Sequence, residues 1–145
     1  MIWYADASFL FSAFGKDAHS RTAAKWLGRG ADFPILISRL TILETEIAWR
    51  AALKDQRLSK EDYAAARRQL KQGLLEGILA KRELRPHQWF PQAHRISDHA
   101  EIDTVCRSLD VLHVSAAKLL KATGFLTFDE AQSKLAEHEG LKVEP

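Results

Sequence analysis

The fold is decided by the opening stretch of the chain, Met1-Ile-Trp-Tyr-Ala-Asp-Ala-Ser-Phe9. Ile2 to Ala5 form an apolar run of the kind found in strands that are buried on both faces of a parallel sheet. Asp6 follows at once, and the apolar run from Ser8 to Phe14 predicts a short helix that Gly15 can end. A carboxylate therefore stands where a central strand ends and a helix begins, which is the edge where open α/β sheets bind ligands.

Asp6 also has a simpler interpretation, in which it only caps the helix that follows and contributes about 1 kcal/mol. Taken alone, its position leaves both interpretations open. The functional interpretation depends on whether other acidic residues reach the same edge of the sheet.

The length and composition of the chain are those of one compact domain spanning residues 1–145, with enough apolar residues (46%) for a core. The net charge of +2 excludes a polycation, while a pI near 8.8 permits a polyanionic partner. The lone Cys106 excludes an internal disulfide and a multi-cysteine zinc site. No apolar run suits a membrane span and no signal segment opens the chain, so we expect a soluble, cytoplasmic protein.

The rest of the chain alternates between strand-like and helix-like patterns, which predicts an α/β domain with a mostly parallel sheet. The predicted strands are Pro34–Ser38, Phe125–Thr127 and Leu141–Val143, with Leu84–Trp89 as an edge strand at most because of Pro86. The predicted helices are Lys16–Gly30, Arg39–Lys54, a helix capped by Ser59 that runs through Ile78, Pro91–Arg107, Val111–Lys121 and Glu130–His138.

The helix Arg39–Lys54 is apolar on two sides. Its first stripe contains Glu44, which is costly there unless the carboxylate is paired or binds a cation. Such a helix is either sandwiched in a core or in contact with another chain. The first stripe is Leu40, Leu43, Ile47 and Ala51, and the second is Ile42, Trp49 and Leu53.

Four carboxylates are thus expected at the carboxyl edge of the sheet: those of Asp6, Glu44, Asp110 and Asp129. Crowded anions repel one another unless a cation balances them, and hard oxygen ligands favour Mg²⁺ or Mn²⁺ over Zn²⁺. Magnesium keeps several waters, one of which can attack a phosphodiester. The hydroxyls of Ser8 and Thr127 can orient a carboxylate or a metal-bound water.

Simpler roles exist for some of these residues. Asp110 and Asp129 each stand where a helix cap is expected, whereas a cap cannot explain Glu44 in the middle of a helix. His113 lies one turn past Asp110, where we expect a hydrogen-bonded core histidine in preference to a ligand.

Four motifs in this order resemble those of the PIN-domain nucleases, and among them the VapC toxins of prokaryotic toxin–antitoxin pairs. They are Tyr4-Ala-Asp-Ala-Ser8, Ser38-Arg-Leu-Thr-Ile-Leu-Glu44, Arg107-Ser-Leu-Asp-Val-Leu-His-Val114, and Phe125-Leu-Thr-Phe-Asp129 followed by Gln132, Leu135 and Gly140-Leu-Lys142. The resemblance touches nearly the whole chain and is weakest from about residue 56 to residue 103.

The resemblance implies a three-layer fold with a five-stranded parallel sheet between helices. It also implies an Mg²⁺- or Mn²⁺-dependent endoribonuclease that cleaves RNA, forms a homodimer and binds an antitoxin protein. Its metal-binding and catalytic residues would be Asp6, Glu44, Asp110 and Asp129. The alternatives are a non-catalytic binding or assembly module of the same fold, and a nuclease that acts on DNA. Basic side chains that could guide a phosphate backbone are those of Arg21, Lys25, Arg39 and Arg107.

Overall fold

A computed structural model of the protein describes residues 1–30 and 32–145. Its centre is a five-stranded sheet in which all neighbouring strands are parallel, with the order β3-β2-β1-β4-β5. This confirms the predicted α/β class and sheet. The strands are β1 (Trp3–Ala5), β2 (Ile35–Ile37), β3 (Leu79–Lys81), β4 (Gly124–Leu126) and β5 (Lys142–Glu144).

Seven helices are found among the described residues. Two of them, α3 and α7, have the predicted bounds, while α2 is shorter and α6 begins three residues earlier than its apolar pattern predicts. None of these helices is long and apolar enough to cross a membrane. The helices are α1 (Ala7–Phe14), α2 (Ser20–Leu27), α3 (Arg39–Lys54), α4 (Lys60–Leu75), α5 (Pro86–His99), α6 (Ser108–Leu119) and α7 (Glu130–His138).

The sheet lies between two apolar clusters, one on each face, as the alternation of side chains along a strand requires. Trp3 and Ala5 of β1 pack into the cluster that buries side chains of α1, α2, α3 and α4. Tyr4, between them, packs into the other cluster with side chains of α5, α6 and α7. The three layers predicted by the resemblance are therefore confirmed.

The third strand differs from the prediction. It is β3 (Leu79–Lys81), not Leu84–Trp89, because α4 ends at Leu75 and Gly77 turns the chain with a φ of 76°. The predicted continuation of that helix to Ile78 is wrong for the same reason.

The helix predicted over Pro91–Arg107 is displaced towards the N-terminus. Pro86 occupies the first turn of α5, where its fixed φ suits a helix start. The helix ends at His99, and Ile102 and Val105 beyond it are largely exposed. These apolar residues therefore provide no buried face that could hold a further helical turn.

The helix α3 is apolar on two sides, but its first stripe is not the one that faces the core. Its buried residues are Thr41, Thr45, Trp49 and Ala52, whereas Leu43 and Ile47 are each 56% exposed. The threonine and tryptophan side chains can be buried because they are hydrogen-bonded; for example, Trp49 Nε1 donates to the carbonyl of Phe11 at 3.3 Å. Glu44 lies half-buried at the border of the core.

Candidate functional site

Asp6 lies at the junction of β1 and α1, fully buried, and caps the helix by accepting a hydrogen bond from the Phe9 N–H at 2.9 Å. Its carboxylate also accepts the hydroxyl of Ser8 at 2.8 Å and that of Thr127 at 2.6 Å. Both hydroxyls therefore contact the carboxylate of Asp6, and their supporting role in a functional site stays a prediction. Burial raises the pKa of Asp6, while the nearby His113 and these hydrogen bonds act in the opposite direction.

The ends of β1 and β4 are joined by the same two hydroxyls. Ser8 Oγ accepts from the N–H of Phe128 at 2.8 Å, and Thr127 Oγ1 accepts from the N–H of Asp129 at 2.9 Å. Asp129 in turn caps α7 by accepting the Gln132 N–H at 2.9 Å. Asp6 and Asp129 therefore stand at neighbouring strand ends, as the strand–helix junctions predicted.

Asp110 lies in the first turn of α6 and is 7% exposed. Its Oδ2 accepts the backbone N–H of Arg107 at 3.0 Å. Arg107 is the cap residue and Asp110 the third residue of the helix, so Asp110 is not the predicted cap itself, because α6 begins earlier than its apolar pattern predicts. This hydrogen bond uses one oxygen, and the residue still borders solvent at the cleft described below.

Glu44 is paired with His113. Its Oε2 contacts His113 Nε2 on α6, and the histidine is fully buried. His113 is thus a hydrogen-bonded core residue, as its position predicted. The pair links α3 to α6 across the end of the sheet.

A cleft of about 640 Å³ opens at this edge of the sheet. Glu44, Asp110 and Asp129 line it, with Ser8 among their neighbours, while Asp6 lies buried directly behind Ser8. In the described part of the chain, no lysine or arginine forms an ion pair with any of the four acids. The four carboxyl groups are thus held by hydrogen bonds and by His113, and not by ion pairs with lysine or arginine.

The cleft also contains an unsatisfied acceptor. Gln132 is 8% exposed, and its buried Oε1 has no hydrogen-bond partner among the described residues. Carboxylate and amide oxygens are the ligands that Mg²⁺ and Mn²⁺ prefer. The side chains that line the cleft are therefore chemically suited to bind such an ion. In residues 1–30 and 32–145, no three His, Cys, Asp or Glu side chains are already gathered around one point. The side chains would have to reorient to converge on an ion.

Of the four predicted basic residues, only Arg107 lines the cleft. Arg21 and Lys25 are exposed on α2, and Arg39 is exposed and pairs with Glu83 at 3.6 Å. Contact of these three with a nucleic acid stays a prediction. Sequence reasoning missed Asp17 and His19 as lining residues, since neither stands at an end of a predicted strand, and it named Gln132 only as part of the fourth motif.

Comparisons with known proteins agree with this architecture. A family model described as the PIN domain matches residues 3–138. The chain is also similar to three solved structures at low identity, which shows a shared fold, whereas no curated protein sequence matches it. These structures are FitAcB from Neisseria gonorrhoeae (TM-score 0.68, 14% identity, covering 99% of this chain and 97% of that one), VapBC2 from Rickettsia felis bound to a DNA fragment of its promoter (0.67, 16%, 99% and 98%), and VapC20 from Mycobacterium tuberculosis, a toxin that cleaves the sarcin–ricin loop (0.64, 15%, 90% and 92%).

Proposed function

The chain belongs to the PIN-domain family, and from this premise we propose that it is a divalent-metal-dependent endoribonuclease that hydrolyses RNA phosphodiester bonds. One observation carries the proposal: Glu44, Asp110 and Asp129 line a single cleft, Asp6 lies buried behind Ser8 at the same edge, and no lysine or arginine of the described residues pairs with any of the four. Like charges held together in a protein raise one another's energy unless a cation is present. A binding module without a metal would gain nothing from this arrangement.

The four acids are the proposed ligands of Mg²⁺ or Mn²⁺. When bound, such an ion would balance their charge and activate a water for attack on the phosphodiester. Ser8 and Thr127 hold the carboxylate of Asp6 by donating their hydroxyls to it. Arg107, exposed at the cleft, is the side chain best placed to contact a phosphate of the substrate.

The similarity to VapBC2, FitAcB and VapC20 supports the further proposal that the chain is the toxin of a toxin–antitoxin pair. An antitoxin protein and a second copy of the chain are the proposed partners. The exposed apolar stripe of α3, which includes Leu43 and Ile47, is consistent with burial in such a complex.

The test compares two glutamates of the same helix. Glu44→Gln removes a proposed ligand, whereas Glu46→Gln removes a half-buried carboxylate that faces the groove between α3 and α4. We expect Glu44→Gln to lower Mn²⁺-dependent RNA cleavage by about 100-fold or more, as losses of electrostatic stabilisation at a reacting centre typically do. We expect Glu46→Gln to cleave at the wild-type rate.

Cleavage is measured on structured and single-stranded RNA, with DNA of the same sequence alongside, and with EDTA in place of Mn²⁺. Activity that survives EDTA, or equal cleavage by wild type, Glu44→Gln and Asp6→Asn, contradicts the proposal. If the protein cleaves DNA in preference to RNA, the proposed substrate is wrong, whereas the proposed metal site is retained.

A further inference from the structure

His113 is held from both sides of its ring. Nε2 contacts Glu44 Oε2, and Nδ1 lies 3.0 Å from the hydroxyl of Tyr4 on the central strand. The histidine and the tyrosine are both fully buried. A buried imidazole with both nitrogens engaged has one ring orientation, and it therefore presents a fixed edge to the glutamate.

The hydroxyl of Tyr4 is itself fixed by two others. It lies 2.9 Å from Ser38 Oγ and 3.0 Å from Thr41 Oγ1, which form the capping box of α3. The phenol ring stacks on Phe125 with a centroid separation of 5.7 Å. A tyrosine hydroxyl is neutral at neutral pH and can both donate and accept a hydrogen bond.

These contacts form one connected path. Ser38 and Thr41 at the start of α3 contact Tyr4 on β1, Tyr4 contacts His113 on α6, and His113 contacts Glu44 in the middle of α3. Glu44 is the last member of this path, and the only one that lines the cleft. Its Oε1 has no hydrogen bond to the described residues, whereas Oε2 is engaged by His113. A glutamate has several freely rotating bonds, and one anchored oxygen is the simplest way to hold the other towards a ligand.

We propose that His113 and Tyr4 are positioning residues that anchor the Glu44 carboxylate through Oε2, so that Oε1 is directed into the cleft towards a divalent cation. This inference rests on the proposed function, since it assigns a purpose to one of the proposed ligands. Residues that orient metal ligands in this way typically change metal affinity 10- to 100-fold when they are removed.

The experiment uses Tyr4→Phe, which removes one oxygen and keeps the buried ring. Tyr63→Phe is the matched control, because Tyr63 is the other tyrosine of the chain and lies half-buried on α4, away from the cleft. The dissociation constant for Mn²⁺ is measured on metal-free protein by electron paramagnetic resonance, and the melting temperature is measured without metal. We expect Tyr4→Phe to weaken Mn²⁺ binding about tenfold and Tyr63→Phe to leave it unchanged.

Two variants of His113 distinguish positioning from packing. His113→Leu fills the space without a donor, and we expect Mn²⁺ binding to weaken by about 10- to 100-fold. His113→Gln retains an N–H donor near the position of Nε2, and we expect it to restore the affinity to within about threefold of wild type. Because the Leu variant removes a buried hydrogen-bond network, Tyr4→Phe serves as the readout should that variant fail to fold.

The outcomes separate this inference from the proposed function. A Tyr4→Phe protein that melts earlier but binds Mn²⁺ within about twofold of wild type assigns the network to packing and overturns the inference. A wild-type protein that binds no Mn²⁺ overturns both the metal site and the positioning role. If the wild type binds Mn²⁺ without cleaving RNA, the nuclease proposal fails, and weaker binding by Tyr4→Phe still supports the positioning role.

Discussion

At the scale of single residues, Gly124 shows how closely the centre of the sheet is packed. A Cβ built on Gly124 would lie 2.2 Å from a ring carbon of Trp3, on the neighbouring strand. The indole of Trp3 is buried and packs edge-on against Trp26 at 5.3 Å between centroids. With the ring held in this position, residue 124 has room only for a glycine.

We predict that Gly124→Ala lowers the free energy of unfolding by about 1–3 kcal/mol, the usual cost of overpacking a core. Urea denaturation followed by tryptophan fluorescence measures the change. An unchanged midpoint would contradict the close approach of β1 and β4.

Gly73→Ala is the matched control for this prediction. Gly73 is also buried, but it lies inside α4, and its added Cβ would make ordinary contacts of 3.5 Å with Leu79 and Phe14. We expect this substitution to raise the free energy of unfolding by about 0.5–1 kcal/mol, because alanine favours a helix over glycine.

At the scale of elements, the edge strand β5 is attached to α2 through Glu144. Its Oε2 accepts from Trp26 Nε1 at 2.6 Å and from Arg29 Nη1 at 3.0 Å, and its Oε1 pairs with Lys142 Nζ at 2.7 Å. The hydrogen bond from Lys142, followed by that from Trp26, lowers the pKa of Glu144. The charged form of this residue therefore stabilises the folded state.

We predict that Glu144→Gln is less stable than wild type by about 1 kcal/mol near neutral pH, as expected for a hydrogen-bonded, partly screened carboxylate. Because the folded pKa lies below the ordinary glutamate value of about 4.3, the stabilisation is complete above that value. It is lost as the pH falls through the lowered folded pKa. Chemical denaturation from neutral to acidic pH checks this dependence.

The exposed Glu137 on α7 provides the control, since it forms no ion pair in the described part of the chain. Glu137→Gln should match wild type at every pH. If the difference between Glu144→Gln and wild type were the same at acidic and neutral pH, the charge of Glu144 would not be its cause.

The elements with strong local signals could be predicted from the sequence. Asp6 and Asp129 follow apolar runs and precede helices, so their place at the sheet edge follows from local order. The strand β3 could not be placed, because Leu79–Lys81 offers one fully buried side chain. The pairing of Glu44 with His113 could not be predicted from the sequence either, because 69 residues separate them and only the packing of α3 near α6 brings them together.

At the scale of the whole molecule, two properties of α3 matter together. One face fills the core, while the exposed face bears Leu43 and Ile47 next to the cleft residue Glu44. An apolar stripe on an otherwise complete domain is typical of a contact between chains. A second copy of the chain is the occupant that the proposed homodimer requires.

We predict that the wild-type protein has twice the mass of the 16.4 kDa chain in solution and that Ile47→Asp weakens its dimer by more than about tenfold, because an interface would bury an unpaired carboxylate. Light scattering coupled to gel filtration measures the mass. Since Ile47 is 56% exposed, the variant monomer should remain folded.

Leu75→Asp is the control for the dimer, because Leu75 lies at the end of α4 and is 72% exposed. We expect that variant to have the wild-type mass. A dimer that survives Ile47→Asp but dissociates with Leu75→Asp would place the contact on α4 instead.

The hydroxyl of Thr127 reaches the carboxylate of Asp6 across 121 positions of sequence. During translation, a nascent polypeptide that has emerged only as far as α6 already carries Asp6, Glu44 and Asp110, but it lacks Thr127 and Asp129. Its first strand also lacks the neighbour that β4 supplies. A polypeptide released before β4 has been made therefore lacks both a residue that holds Asp6 and the strand beside it.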